Sequence, residues 1–356
     1  MYVPKRLGRI PAIGHDELLS SFLIRLAHKH KLNLHTFCST VLPGHEIWTR
    51  DIDRCSNMQL VNDLSRKTGF DASVILEMTL RPFMMIMDGR ICRNGISRWI
   101  LPLGVFHRTR GAFGQQYCSE CLAENEPICL RAWRLAFNIQ CPVHNLSLRD
   151  CCPSCGAPFH PHRNGSLINL KCHVCSNTLI SSGSSCTCEG ALNFQKKMQN
   201  ALYSDSLSLH EFNSWHRLLS IIARNDQCFA GDPGGWFQWR LLARVRLFEF
   251  ATTLKQNWPD SFFLWAETHR LSQAGLNDFD IGPGWLKDAV MLLPERYSPP
   301  RKARNSDSRA KILQYVRMPK GVAKSTLREK ILLDEAFSVI HKWKFTQSGR
   351  KKESDH

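Results

Sequence analysis

The feature that most restricts what this chain can fold into is a row of four ligand pairs at one spacing: Cys118-x2-Cys121, Cys141-x2-His144, Cys152-x2-Cys155 and Cys172-x2-Cys175. A two-residue spacer lets one tight turn aim two soft ligands at a single ion, and four such ligands build the closed tetrahedral site that zinc prefers. The spacing therefore predicts two structural zinc ions, one on Cys118, Cys121, Cys141 and His144, the other on Cys152, Cys155, Cys172 and Cys175. Free buried thiols do not explain four pairs at one spacing. Cys151, Cys186 and Cys188 are spare thiols that can substitute in the second site, so ligand identity there stays open.

Such sites are expected to be structural. A hydrolytic zinc keeps an open position for water, and a deaminase zinc needs a Glu in an H-x-E context; His144-Asn145-Leu146 has none. The chain also carries no G-x-x-x-x-G-K-[ST] phosphate loop, no G-x-S-x-G elbow and no H-E-x-x-H. No catalytic residues are assigned, and the expectation is a protein that is not an enzyme.

The N-terminus, MYVPKRLGRIPAIGHDE, lacks the apolar centre of an export signal, and no stretch approaches the roughly 20 apolar residues of a membrane span. The expectation is a soluble cytoplasmic protein whose 15 cysteines serve metal rather than disulfides. The net charge of +16 points to a polyanionic partner. It divides as +7 over residues 1–112, 0 over 113–193, −1 over 194–295 and +10 over 296–356. The ends are thus the candidates for nucleic-acid contact, with Arg301, Lys302 and Arg304 in the basic stretch RYSPPRKAR. The neutral centre turns acidic once thiolates bind metal, which suits a scaffold.

Apolar periodicity predicts a mainly α protein: an N-terminal helical domain with a helix-turn-helix-like hairpin (1–112), a tandem zinc-binding region (113–193), a helical domain (194–295), then a basic linker and C-terminal helices (296–356). A helix is predicted from Asp16 to Lys29, with acids in its first turn and Leu18, Leu19, Phe22, Leu23, Leu26 and Ala27 inward. A second is predicted after the cap Asn33, ending at Pro43-Gly44. Residues 57–80 read as a hairpin: Asn57 caps one helix with Leu60, Val61 and Leu64 inward, Gly69 stops it, and Asp71 caps another with Val74, Ile75 and Met78 inward. Its second helix, ASVILEMT, has no basic or amide side chain to read bases. After Asp232-Pro233-Gly234 a long run from Trp236 to Trp258 is expected to bury Trp239, Leu242, Leu247, Phe250, Ala251 and Leu254. Two more helices are expected at Ser308–Arg317 and Ser325–Lys344. The 10 tryptophans and 19 phenylalanines are expected in the core rather than on base-stacking surfaces.

Several of these segments resemble the TniQ family of bacterial transposon proteins. The opening IPAIGHDELLSSFLIRLAHKH and the segment WTRDIDR are similar to it. So is the block from Tyr117 to Phe159, in which Cys-x2-Cys, Arg131-Ala-Trp133-Arg134-Leu135, Cys-Pro-x-His and Cys-Pro-x-Cys-Gly follow in order. The resemblance covers about residues 10–180. It implies a non-enzymatic target-selection protein that links a recognition device to an AAA+ transposition regulator and, through it, a transposase. Longer TnsD-like members read an attachment site in DNA themselves. Shorter ones dimerise on a CRISPR Cascade complex, whose guide RNA chooses the target. With about 160 residues after the zinc region, this chain is nearer the shorter type, so the resemblance implies a homodimer with Cascade as partner, the direct reading of target DNA being the alternative. In a head-to-tail dimer Leu18, Phe22 and Trp48 would be interface residues as readily as core ones. The doubled Cys151-Cys152 and the basic tail from Arg296 are departures from the family pattern.

Overall fold

The computed structural model describes residues 6–297 apart from 93–95, 107–108, 125, 164–166, 169, 184, 187, 204–208 and 230–233. The basic stretch with Arg301, Lys302 and Arg304, and both expected C-terminal helices, lie outside the described residues, as does most of the Asp232-Pro233 turn.

The regular secondary structure of the described part is almost wholly helical, with the cysteine-rich region built mainly of loops and turns. The N-terminal helices are α1 (Leu19–Lys29), α2 (Leu34–Val41), α3 (Ile52–Cys55), α4 (Met58–Thr68), α5 (Ala72–Glu77) and α6 (Arg81–Asp88). A two-residue antiparallel pair, β1 (Val105–Phe106) and β2 (Thr109–Arg110), precedes the short α7 (Ser119–Ala123). After the cysteine-rich loops come α8 (Glu189–Tyr203), α9 (Leu209–Asn225), α10 (Leu241–Gln256), α11 (Asp260–Thr268), α12 (Gln273–Leu276) and α13 (Trp285–Met291). None of these helices is long and apolar enough to cross a membrane.

Local signals set several boundaries. Asn33 Oδ1 accepts from His35 N at 3.0 Å and Asn57 Oδ1 from Leu60 N at 2.8 Å, each satisfying an orphan N–H of the following helix. Gly69, at φ +78°, closes α4 in the left-handed conformation that glycine adopts without strain. Leu60, Val61 and Leu64 are buried, as are Ile75 and Met78.

Three expectations are corrected. The first helix begins at Leu19, not Asp16, because both acids are claimed by distant partners. Asp16 accepts from Arg131 Nε at 2.8 Å and Ala132 N at 2.9 Å, with its own φ at +55°. Glu17 pairs with Leu130 in a β-bridge and accepts from Arg25 at 2.7 Å. In the hairpin, Val74 is exposed rather than inward, since the six-residue α5 fully buries only Ile75 and, just past its end, Met78, with Ala72 and Leu76 half-buried beside them. The expected Trp236–Trp258 helix is broken: a 3-10 turn, Trp236–Gln238, precedes α10. Asp150 lies at the break, accepting from Arg240 Nε and Nη2 and from Leu241 N at 2.8–2.9 Å. In the re-phased helix Leu242 is exposed, and Arg244 is buried in its stead.

The core joins the segments. The Trp99 ring lies 5.2–6.5 Å from those of Phe137, Phe194, Phe212, His216 and Trp236. These rings come from both sides of residues 112 and 193, and one compact unit runs to Tyr297. Of the nine tryptophans within 6–297, Trp258 and Trp285 are half-buried and the others buried, so the aromatic content serves mainly packing. Leu18, Phe22 and Trp48 are core residues here.

Candidate metal centres

Three of the four ligand pairs fold into the same turn. At Cys141, Cys152 and Cys172 the cysteine N–H donates to the carbonyl five residues on, at 2.8 Å each, and the cysteine carbonyl accepts from the N–H of the residue four on. That residue, Asn145, Gly156 or Ser176, is left-handed. The flanking bridges Gln140–Ser147, Cys151–Pro158 and Lys171–Thr178 repeat the register. Each turn is thus a hairpin tip that points both ligands of its pair to one side. Asn and Gly carry the left-handed conformation readily.

The fourth pair uses a helix start. Cys118 is the residue before α7 and Cys121 lies in its first turn, on the same side because residues three apart share a helix face. The bridge between Tyr117 and Arg149 brings this helix beside the Cys141 turn.

The result is two clusters, Cys118/Cys121/Cys141/His144 and Cys152/Cys155/Cys172/Cys175, whose donor atoms lie within 4.8 Å of one another in each. In the first, Cys121 Sγ is 3.7 Å from Cys141 Sγ and 3.3 Å from His144 Nδ1, and Cys118 Sγ is 3.6 Å from the same nitrogen. In the second, Cys152–Cys175 is 3.7 Å and Cys155–Cys172 is 3.6 Å. Zinc–sulfur bonds of about 2.3 Å place tetrahedral ligands about 3.8 Å apart. The donor sets, three sulfurs with one nitrogen and four sulfurs, and the observed edges therefore fit such an ion.

The electrostatics run the same way. Hydrogen bonds from the Cys118 and Cys121 thiols push Cys141 strongly down toward the thiolate, and Cys121 is pushed strongly up in compensation. Burial raises Cys152, but the N–H groups of Cys155 and Ser154 and the neighbouring thiols outweigh it and bring it down to about 7. Four thiols packed this closely share protons, a state that a cation relieves.

The spare thiols stand outside both clusters. Cys151 Sγ lies 2.9 Å from Arg240 Nη2 and its backbone is the outer rung of the Cys152 turn. Cys186 and Cys188 belong to neither donor group.

Around the centres are buried charged groups whose pairing the sequence does not show, although Asp51 and Asp53 lie in the segment WTRDIDR and Arg134 in the segment Arg131–Leu135. Arg134, fully buried, donates to Asp51 at 2.6 and 3.3 Å and to the Leu101 carbonyl at 2.9 Å. Asp53 accepts Ser20 N and Oγ at 2.8 Å, and its carboxyl is pushed up by burial and by Asp51, against the pull of Arg134. Arg244 donates to Gln116 Oε1 at 2.7 Å and to the Ala136 carbonyl; burial lowers its pKa to about 10 while Asp150 raises it.

Residues 9–148 match the family model named TniQ. The matched stretch holds α1–α7, the Asp51–Arg134 pair and the whole first cluster, so this part of the chain is a TniQ domain. The second cluster and the helices from α8 onward lie beyond the match. No curated protein matches the chain.

Proposed function

We propose that this protein is a non-enzymatic adaptor for transposition target selection. The observation that carries the reading is the TniQ domain over residues 9–148, whose family implies a part in choosing where a transposon inserts. In this reading each cluster holds one structural zinc on four protein ligands, leaving no position for a reacting water. The ions fix the loops that pack beside α1, α8 and α10, and the rigid whole presents docking faces to an AAA+ regulator on one hand and a recognition complex on the other. The hairpin of α4 and α5 supports protein contact over base reading, because the exposed residues of α5 are Ser73, Val74 and Glu77, with no basic or amide side chain to make a bidentate contact to a base edge. The recognition complex is a Cascade ribonucleoprotein with its CRISPR RNA, the protein acts as a homodimer in the cytoplasm, and Arg301, Lys302 and Arg304 add contact to nucleic acid.

The test is purification of the tagged chain from cells that also express the genes beside its own, followed by mass spectrometry, RNA sequencing and metal analysis. Recovery of an AAA+ ATPase with Cas proteins, CRISPR RNA and two zinc ions per chain is the expected result. Recovery of the protein with one enriched duplex sequence and no RNA would overturn the Cascade assignment in favour of direct DNA reading.

A further inference from the structure

A cleft of about 190 Å³ opens between α8 and α10, floored by Phe194 and Trp215 and edged by Asn193, Lys197, Lys255 and Gln256. Lys255 is half-buried there. Its Nζ stands 4.2 Å and 3.8 Å from the ring centroids of Trp258 and Trp285, two indoles that meet edge to face at 4.8 Å. Among the described residues no acceptor comes within hydrogen-bond or ion-pair reach of this ammonium.

The one nearby carboxylate is already used. Glu211 Oε1 accepts from Trp215 Nε1 and from Lys197 Nζ, both at 3.0 Å, and Oε2 accepts from Trp285 Nε1 at 2.8 Å. Turning it to Lys255 would strand two indole N–H groups. Of the two lysines only Lys197 pairs with that saturated carboxylate, and the cleft keeps the positive charge of Lys255, held in place by ring faces. Its volume is below the roughly 300 Å³ at which pockets take drug-sized ligands, so the fitting group is a small anion. The side-chain amides of Asn193 and Gln256 at the rim supply neutral N–H donors.

We propose that this cleft is a phosphate subsite, in which Lys255 and Lys197 hold the oxygens of one phosphoryl group. The shared chemistry has two sources, free inorganic phosphate and a phosphodiester of a nucleic-acid backbone. The site differs in residues and place from the basic tail, and it stands whether or not the adaptor reading holds.

The test is calorimetric titration of the full-length protein with inorganic phosphate and, separately, with a single-stranded DNA 12-mer. Lys255→Gln, which keeps the stem and removes the charge, is expected to weaken binding about tenfold or more, because it replaces a charge-assisted hydrogen bond by a neutral one. Lys197→Gln, on a more exposed side chain, is expected to cost several-fold and serves if Lys255→Gln fails to fold. Lys287→Gln, exposed on α13, is expected to bind as wild type. Lysine-dependent binding of phosphate but not the 12-mer makes the source free phosphate, and lysine-dependent binding of the 12-mer makes it the backbone. Binding of neither probe, or binding that survives both cleft substitutions unchanged, overturns the proposal.

Discussion

Arg134 Nη2 donates to Asp51 Oδ2 at 2.6 Å across 83 residues of sequence, joining the loop before α3 to the segment between the first two ligand pairs. The guanidinium is wholly buried and also faces Asp53 Oδ2 at 3.6 Å. Removing it leaves two carboxylates in a low-dielectric interior. Breaking such a pair on one side costs about 3–5 kcal/mol, so Arg134→Met should lower the urea midpoint by that equivalent. A loss below about 1 kcal/mol would mean that the pair is solvated in solution.

Metal removal should separate the two centres. Cys118→Ser and Cys172→Ser are each expected to lose one equivalent of bound zinc by atomic emission and to loosen their own loops, because ligand binding and folding are coupled in closed sites. Cys151→Ser should keep both equivalents, since its sulfur faces Arg240 rather than the second cluster. Loss of an ion in Cys151→Ser would contradict the ligand set.

Burial pushes the His216 ring down to about 3, with Arg98 and Arg217 adding to it. The unfolded chain takes up this proton near pH 6.5. The folded state binds fewer protons between those values, so the contribution to stability is complete above about pH 6.5. It falls by about 1.4 kcal/mol per unit as the pH drops toward about 3. Denaturation midpoints measured from pH 7 to 4 should fall less steeply in His216→Leu. An unchanged slope would show that the ring is accessible to protons in the native state.

The re-phasing of α10 gives a paired prediction. Leu247→Ala, in the core, should cost about 2–5 kcal/mol, whereas Leu242→Ala, on the exposed face, should stay within about 0.5 kcal/mol. Equal costs would restore the unbroken helix expected from periodicity.

These cases show what was legible in the sequence. Asn33 and Asn57 marked their helix starts because a cap acts on N–H groups two or three residues away, and the two Cys/His clusters were readable because pair spacing and turn geometry are local. The start of α1 and the break before α10 were hidden for one shared reason. Asp16 is held by Arg131, and Asp150 holds Arg240, so carboxylates and guanidiniums distant in sequence decide where those helices begin. Periodicity likewise assigned Leu242 to the core and gave no sign that Arg244 would be buried against Gln116. The Lys255 cleft needed four helices in place before its lysines and indoles met.

On the proposed reading this chain directs insertion rather than performs it. The most direct measurement is sequencing of insertion sites in cells carrying the transposition genes encoded with it, with and without this protein. Insertions at the preferred target are expected to disappear when the protein is absent or carries Arg134→Met together with Cys118→Ser, and to return on complementation with the wild type. Undiminished insertion at the same site without the protein would contradict that reading.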